Sequence, residues 1–164
     1  MLIEKLQIIG EIETPFHDKF GIPRQSGMVN DIICKIRLKN KYNNFDAVRG
    51  LEGFSYIWVI WGFSENEANN WSPTVRPPRL GGNKRMGVFA TRSPNRPNPL
   101  GLSSLKLLKI ENENGQVCLW VSGADMVNGT PIYDIKPYIP FTDSHQDAKF
   151  GFAENFSNTP RVQS

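Results

Sequence analysis

The sequence predicts a mainly β chain: a single-domain β-barrel with short helical insertions and long Gly/Pro-rich loops. Three observations carry that prediction. Apolar and polar residues alternate with period two across NDIICKIRLK (30–39). The run FSYIWVIWGF (54–63) is rich in β-branched and aromatic residues. Two further apolar runs flank ENENG (111–115), a glycine-bearing hairpin turn. Strands separated by turns, with little helical periodicity, argue a barrel or a sandwich.

Taken in order, Leu6 to Ile12 reads as a short opening strand. In 30–39, Ile32, Cys34, Ile36 and Leu38 share one face, and Lys35, Arg37 and Lys39 share the other, as in a half-buried strand. Asp46 is placed to N-cap a short helix through DAVRGLEGF, which Gly50 and Gly53 keep short. The 54–63 run is apolar on both faces and reads as a fully buried central strand. Asn69 to Gly82 is an irregular loop by its proline and glycine content, and MGVFAT (86–91) is a short strand. LSSLKLLKI and QVCLWVSGA form the two arms of the hairpin. In TPIYDIKPYIPF (130–141), Pro137 and Pro140 argue an edge strand or extended chain.

A chain of 164 residues is sized for one domain with its own core. Its hydrophobic content of 39% is well above that of disordered chains. No stretch approaches the ~20 apolar residues of a membrane span. The start, MLIEKLQIIG, carries an acid and leads into strand pattern, unlike a secretory leader. With Cys34 and Cys118 as the two cysteines, a reduced cytoplasmic chain is expected rather than a disulfide scaffold.

The net charge of +3 hides an asymmetry. Between Glu67 and Glu111 there is no acid, and eight of the 19 Lys and Arg residues lie there, leaving 11 bases against 16 acids elsewhere. The basic island is either a solvated face or a surface for an anionic partner such as nucleic acid.

Several machines are excluded by their missing signatures. There is no G-x-x-x-x-G-K-[ST] phosphate loop and no strand-to-helix G-x-G-x-x-G, so neither an NTPase nor a doubly wound dinucleotide core is indicated. His17 and His145 lie far from either cysteine, so no metal site of the Cys/His kind is expected. What remains is a set of stiffened segments. FGIPRQSG (20–27) is an ordinary turn or a binding turn, with the Gln25 side chain and the Ser26 and Gly27 amides as ligand groups. WSPTVRPPRLGG (71–82) combines Trp71 with bases, which suits phosphate and base-stacking contacts or a rigid surface loop. In MGVFATRSPNRPNP (86–99), Pro94, Pro97 and Pro99 stiffen a segment holding Arg92 and Arg96. SGADMVNGTPIYDIKPY (122–138) offers Asp125, Asn128, Gly129 and Thr130 as pocket residues, with Tyr133 and Asp134 close behind.

The block GVFATRSPNRPNPLGLS (87–103), preceded by PTVRPPRLGG and followed by NGTPIYDIKPY, resembles the TsaA-like family of tRNA methyltransferases. FGIPRQSG and AVRGLEGFSYIW extend the likeness to roughly residues 3 to 152. The resemblance implies an S-adenosylmethionine-dependent enzyme on a β-barrel, a homodimer, whose tRNA substrate is methylated at N6 of threonylcarbamoyladenosine beside the anticodon of threonine tRNA. Carried over by position, it implies cofactor contacts at Gln25, Ser26, Gly27, Phe63, Ser64, Arg92 and Leu102. Gly123, Ala124, Asp125, Asn128, Gly129 and Thr130 complete that set. Three departures stand out. Asn128 replaces a common Asp, Ser64 replaces a histidine of some relatives, and the C-terminal domain of longer relatives is expected to be absent after a tail at 153–164.

With that cofactor the implied chemistry needs no metal, because a sulfonium methyl is already activated and the protein must mainly align the reactants. Phe63 and Leu102 would make an apolar slot for adenine, and Arg92 would fork onto the methionine carboxylate. Asp134 is the candidate base, with Asp125 the other acid of the motif region. Trp71, Arg76, Arg79, Lys84, Arg85 and Arg96 would grip the anticodon arm of tRNA, Arg96 alternatively supporting its own loop. Other readings from the residues are a non-catalytic RNA-binding β-barrel and a small-molecule methyltransferase on the same fold.

Overall fold

The computed structural model describes residues 2–3, 5–18, 32–63, 71–77 and 84–151. Among these, β1 (Gly10–Glu13), β2 (Ile33–Leu38), β3 (Tyr56–Gly62), β6 (Leu100–Glu113), β7 (Gln116–Ser122) and β8 (Pro131–Pro137) form one antiparallel sheet. The strands pair in the order β1–β2–β7–β6–β3–β8, and β8 returns to β1, so the sheet closes on itself. A separate ribbon pairs β4 (Thr74–Val75) with β5 (Met86–Gly87). One four-residue helix, α1 (Pro140–Asp143), and short 3-10 turns complete the described elements. The mainly β expectation holds.

Period two decides what fills the ring. Ile12, Ile36, Ile57, Val59, Leu105, Leu119, Val121 and Ile132 point inward and are fully buried, joined by Met126 from the turn before β8. Each such side chain contributes about 1.5–3 kcal/mol relative to exposure. In β2 the alternation is as read: Cys34, Ile36 and Leu38 are buried, while Lys35 and Arg37 face out into ion pairs with Glu13 and Glu113. The β6–β7 hairpin turns through Asn114 (φ 52°) and Gly115 (φ 86°). Positive φ at both central residues matches the right-handed twist of the strands, and an Asn-Gly pair supplies it at least cost.

Several elements differ from the sequence expectation. Of 86–91, read as a strand, only Met86–Gly87 pairs, and Val88–Ala90 is a 3-10 turn. The 69–82 segment, read as irregular, contributes the strand Thr74–Val75, and Pro140 opens a helix instead of extended chain. The opening strand starts at Gly10 instead of Leu6, and Leu6 and Ile8 are exposed. The turn at Phe45–Val48 is capped by Asn44, whose side chain accepts from Asp46 N–H at 2.9 Å, while Asp46 itself pairs with Arg49. β3 is buried on one face only. Tyr56 is exposed and Trp58 half-buried on the outside, where the Trp58 indole donates to Asp143 Oδ2 at 2.8 Å and stacks against Tyr138. A closed ring has one interior, so the second apolar face of the run meets only the partial cover of later segments, which an apolar run alone does not reveal. Finally, β8 is no simple edge strand, because it pairs with β3 and, at Pro131 and Ile132, with β1. Its prolines stand at its first and last residues, where a missing donor costs no central ladder bond.

Candidate functional site

Three chain segments converge at one end of the ring. The end of β3 carries Trp61 and Phe63, whose rings lie 4.4 Å apart between centroids. Phe63 N–H donates to Pro99 O at 3.0 Å, which ties β3 to the proline-rich loop just before β6. From β6, the buried Ser103 hydroxyl accepts from the Trp61 indole at 2.9 Å and donates to Asp125 Oδ1 at 2.7 Å. Asp125 belongs to the turn after β7. The structure thus links Phe63 to Asp125, 62 positions later, through Trp61 and Ser103, while Gly123 and Ala124 are buried in the turn just before Asp125.

The proline-rich loop is laced from within. Thr91 is buried; its Oγ1 donates to Val88 O at 2.8 Å and accepts from Ser93 N–H at 3.3 Å. Arg96 turns back, with Nη1 donating to Thr91 O at 2.9 Å and Ser93 O at 3.3 Å. Those two carbonyls bracket Arg92, which is exposed and, among the described residues, has no hydrogen bond or ion pair. Of the two readings of Arg96, the structure displays loop support. Arg92 is the guanidinium this lacing presents outward.

The turn leading into β8 is spent on bracing. Asn128 Oδ1 accepts from Thr14 N–H at 3.0 Å, and Asn128 N–H and Gly129 N–H donate to Phe16 O and Ile12 O. Thr130 is buried and its hydroxyl donates to Val127 O at 2.6 Å. A neutral amide oxygen does here what a carboxylate at this position would also do, accept a backbone donor.

Leu102 and Asp134 lie elsewhere, on the outside of the ring. Leu102 is exposed and opposes Ile60, and Ile60 opposes Asp134 on its other flank. Asp134 Oδ1 accepts from Ile135 N–H at 2.9 Å, and Oδ2 pairs with Lys136 at 3.5 Å. Asp134 also lines a groove of about 640 Å3 with Leu38, Tyr42, Val48, Leu51 and Phe54. The candidate base and the Asp125 cluster therefore occupy different faces of the sheet.

Four of the six predicted nucleic-acid residues lie on or beside the β4–β5 ribbon. Arg76 and Arg85 flank the Val75–Met86 pair, both exposed, with Lys84 and Trp71 exposed nearby in the chain. Arg85 Nη1 donates to Thr74 Oγ1 at 2.9 Å, and Val88 N–H donates to Pro73 O, docking the ribbon to the arginine loop. Gln25, Ser26, Gly27, Ser64 and Arg79 lie outside the described residues.

Titration shifts mark a different region. At the far end of β6, hydrogen bonds from Lys35 and then Cys118 hold the Glu113 carboxyl below its usual range. Glu111 is lowered likewise by Lys109 and Trp120. These are ion-pair effects of an outer surface. No cluster of three metal-ligating side chains occurs among the described residues.

Sequence reasoning missed Trp61, Gly101 and Ser103. A legible signal existed: Gly101 and Ser103 occupy inward positions of a strand whose other inward residues are Leu105 and Leu107. A small residue and a hydroxyl in an apolar series mark a place where something else must fit.

A closed, mainly β sheet bearing a proline-braced arginine loop and an inward aromatic–serine–aspartate line defines a β-fold domain with a site at one rim, unlike a doubly wound nucleotide-binding core. The family model described as tRNA-methyltransferase O N-terminal domain matches residues 11–144, and the chain belongs to that family. Among curated relatives, the tRNA (adenine(37)-N6)-methyltransferase of Escherichia coli K12 is 48% identical over 147 residues, covering 90% of this chain and 63% of the relative. A probable S-adenosyl-L-methionine-binding protein of Methanothermobacter thermautotrophicus is 37% identical over 140 residues, covering 85% of this chain and 93% of that one. The crystal structure of TrmO from Pseudomonas aeruginosa aligns with a TM-score of 0.75 at 35% identity, covering 93% of this chain and 64% of that chain. The chain thus spans under two thirds of the bacterial enzymes it matches.

Proposed function

We propose that this chain is an S-adenosylmethionine-dependent methyltransferase domain that methylates N6 of adenosine 37 in tRNA. The observation that carries the reading is the convergence of Phe63, Asp125 and the Arg92 loop in a family-matched fold. The donor set suits the cofactor: an aromatic slot for adenine, a guanidinium for a carboxylate, and a carboxylate for hydroxyl or ammonium donors. The bound cofactor would supply the activated methyl group. The chain's own residues would hold it in line with the acceptor, exclude water with the Trp61–Phe63 wall, and present the arginines of the β4–β5 ribbon to tRNA phosphates.

At finer detail, we take the acceptor to be N6 of threonylcarbamoyladenosine in threonine tRNA, the domain to span 1–152, and the working form to be a homodimer. Asp134 is the proposed base for an acceptor approaching over the outer face of β3, and Asp125 is the acid beside the aromatic pair. The test is incubation with labelled cofactor and tRNA that lacks the modification, followed by nucleoside analysis. Labelled N6-methyl-threonylcarbamoyladenosine is expected. Bound cofactor with label in no tRNA nucleoside would overturn the tRNA reading.

A further inference from the structure

Ser103 is a polar side chain inside an apolar ring, 1% exposed. Buried hydroxyls are retained where they find partners, and this one has two. The chemistry fixes the direction of both bonds. An indole N–H can only donate, and a hydroxyl carries one proton. Ser103 Oγ therefore accepts from Trp61 Nε1 and must aim its own proton at Asp125 Oδ1.

The line exists because of two neighbours. Gly101 opposes Trp61 across β3 and β6, and a Cβ there would fall within the indole ring. With no side chain at 101, the indole lies flat across β6 and reaches position 103. Phe63 packs against the same ring, tilted to it, at 4.4 Å between centroids. Gly101 and Ser103 are also the end of the 87–103 sequence block, the part that the cofactor reading of Arg92 and Leu102 leaves without a task.

We propose that Trp61 and Ser103 are positioning residues that fix the Asp125 carboxylate toward a hydrogen-bond donor of the cofactor. This rests on the cofactor reading above. Trp61 pins the serine hydroxyl, and the pinned hydroxyl holds one carboxylate oxygen, so the group is oriented from inside the ring before any ligand arrives. Pre-orientation removes the ordering cost that a free carboxylate would meet on binding.

The test is a double-mutant cycle on the full chain, read by calorimetric titration with S-adenosylmethionine alone. Ser103→Ala should weaken binding about tenfold, in the range of a hydrogen bond to a charged group. Asp125→Asn should weaken it at least as much, and the double variant no further than roughly twofold beyond Asp125→Asn, because Ser103 acts through Asp125. Ser103→Thr, which keeps the hydroxyl, should restore affinity. Trp61→Phe keeps the ring without the donor, and carries the same cycle if Ser103→Ala does not fold. A Ser103→Ala protein with lowered thermal stability and unchanged affinity overturns the proposal, as do additive losses in the cycle. Wild-type chain that binds no S-adenosylmethionine overturns the cofactor reading itself.

Discussion

The Trp61 indole lies across Gly101, its cross-strand partner, so closely that no side chain fits at 101. Gly101→Ala must push the ring off its seat and away from Ser103. The expected cost is that of an overpacked core, about 1–3 kcal/mol. A fall in Tm of several degrees follows, at roughly 2–4 °C per kcal/mol for a chain of this size. Thermal denaturation checks it, and an unchanged Tm would show that the ring has room to move.

Arg92 and Arg96 should separate by the size of their effect on one ligand. Arg92→Ala is expected to weaken S-adenosylmethionine binding by about tenfold or more, as for a lost charge-assisted fork. Arg96→Ala releases the Thr91 and Ser93 carbonyls that bracket Arg92, so it should weaken the same ligand by a smaller factor. Titration of both variants decides; a larger effect at 96 than at 92 would reverse the assignment.

Salt dependence of tRNA binding should report the ribbon. Arg76→Ala, Lys84→Ala and Arg85→Ala each remove one charge of the proposed tRNA-facing ribbon, so each should lower the slope of log affinity against log salt by about one. Arg96→Ala should leave that slope alone, because its guanidinium is committed to its own loop. Equal slopes for wild type and all three ribbon variants would remove this surface from RNA binding.

The β6–β7 end contributes to the pH dependence of stability. Glu113 is held below its ordinary 4.5 by Lys35, so its stabilising effect is complete above that value and lost as pH falls through the lowered folded one. Lys35 is raised above 10.5 by the same hydrogen bond, and its share is complete below 10.5 and lost as pH rises through the folded value. Glu113→Gln should flatten the acid side of a stability-versus-pH curve. Burial also pushes the Cys34 and Cys118 thiols up to about 11, so both should resist iodoacetamide at neutral pH until the chain unfolds.

What is legible in the sequence follows the range of the interactions involved. The alternation of Cys34, Ile36 and Leu38 and the Asn114–Gly115 turn are local and read directly. The ribbon's bases are visible as a charge gap. The partial exposure of the outward face of β3 is not, because how much of it Tyr138 and Asp143 cover is decided some eighty positions later. Ser103 is easily passed over for the same reason, since neither of its partners is near in sequence. Asn128 reads as a ligand group, whereas pairing with Thr14 uses its side-chain oxygen.

The return of β8 to β1 rests on two residue pairs, Gly10–Ile132 and Glu11–Pro131, strengthened by the Asn128–Thr14 brace. Its halves are about 120 residues apart in the chain, so in a folding reaction this join carries the largest loop-closure entropy and is expected to zip last. In the native protein it would then be the first to breathe. Because Asp125 sits on the same connection that leads into β8, amide exchange at Ile12 and Gly129 should slow when a ligand occupies the rim. The closure of the sheet and the readiness of the site would share one latch.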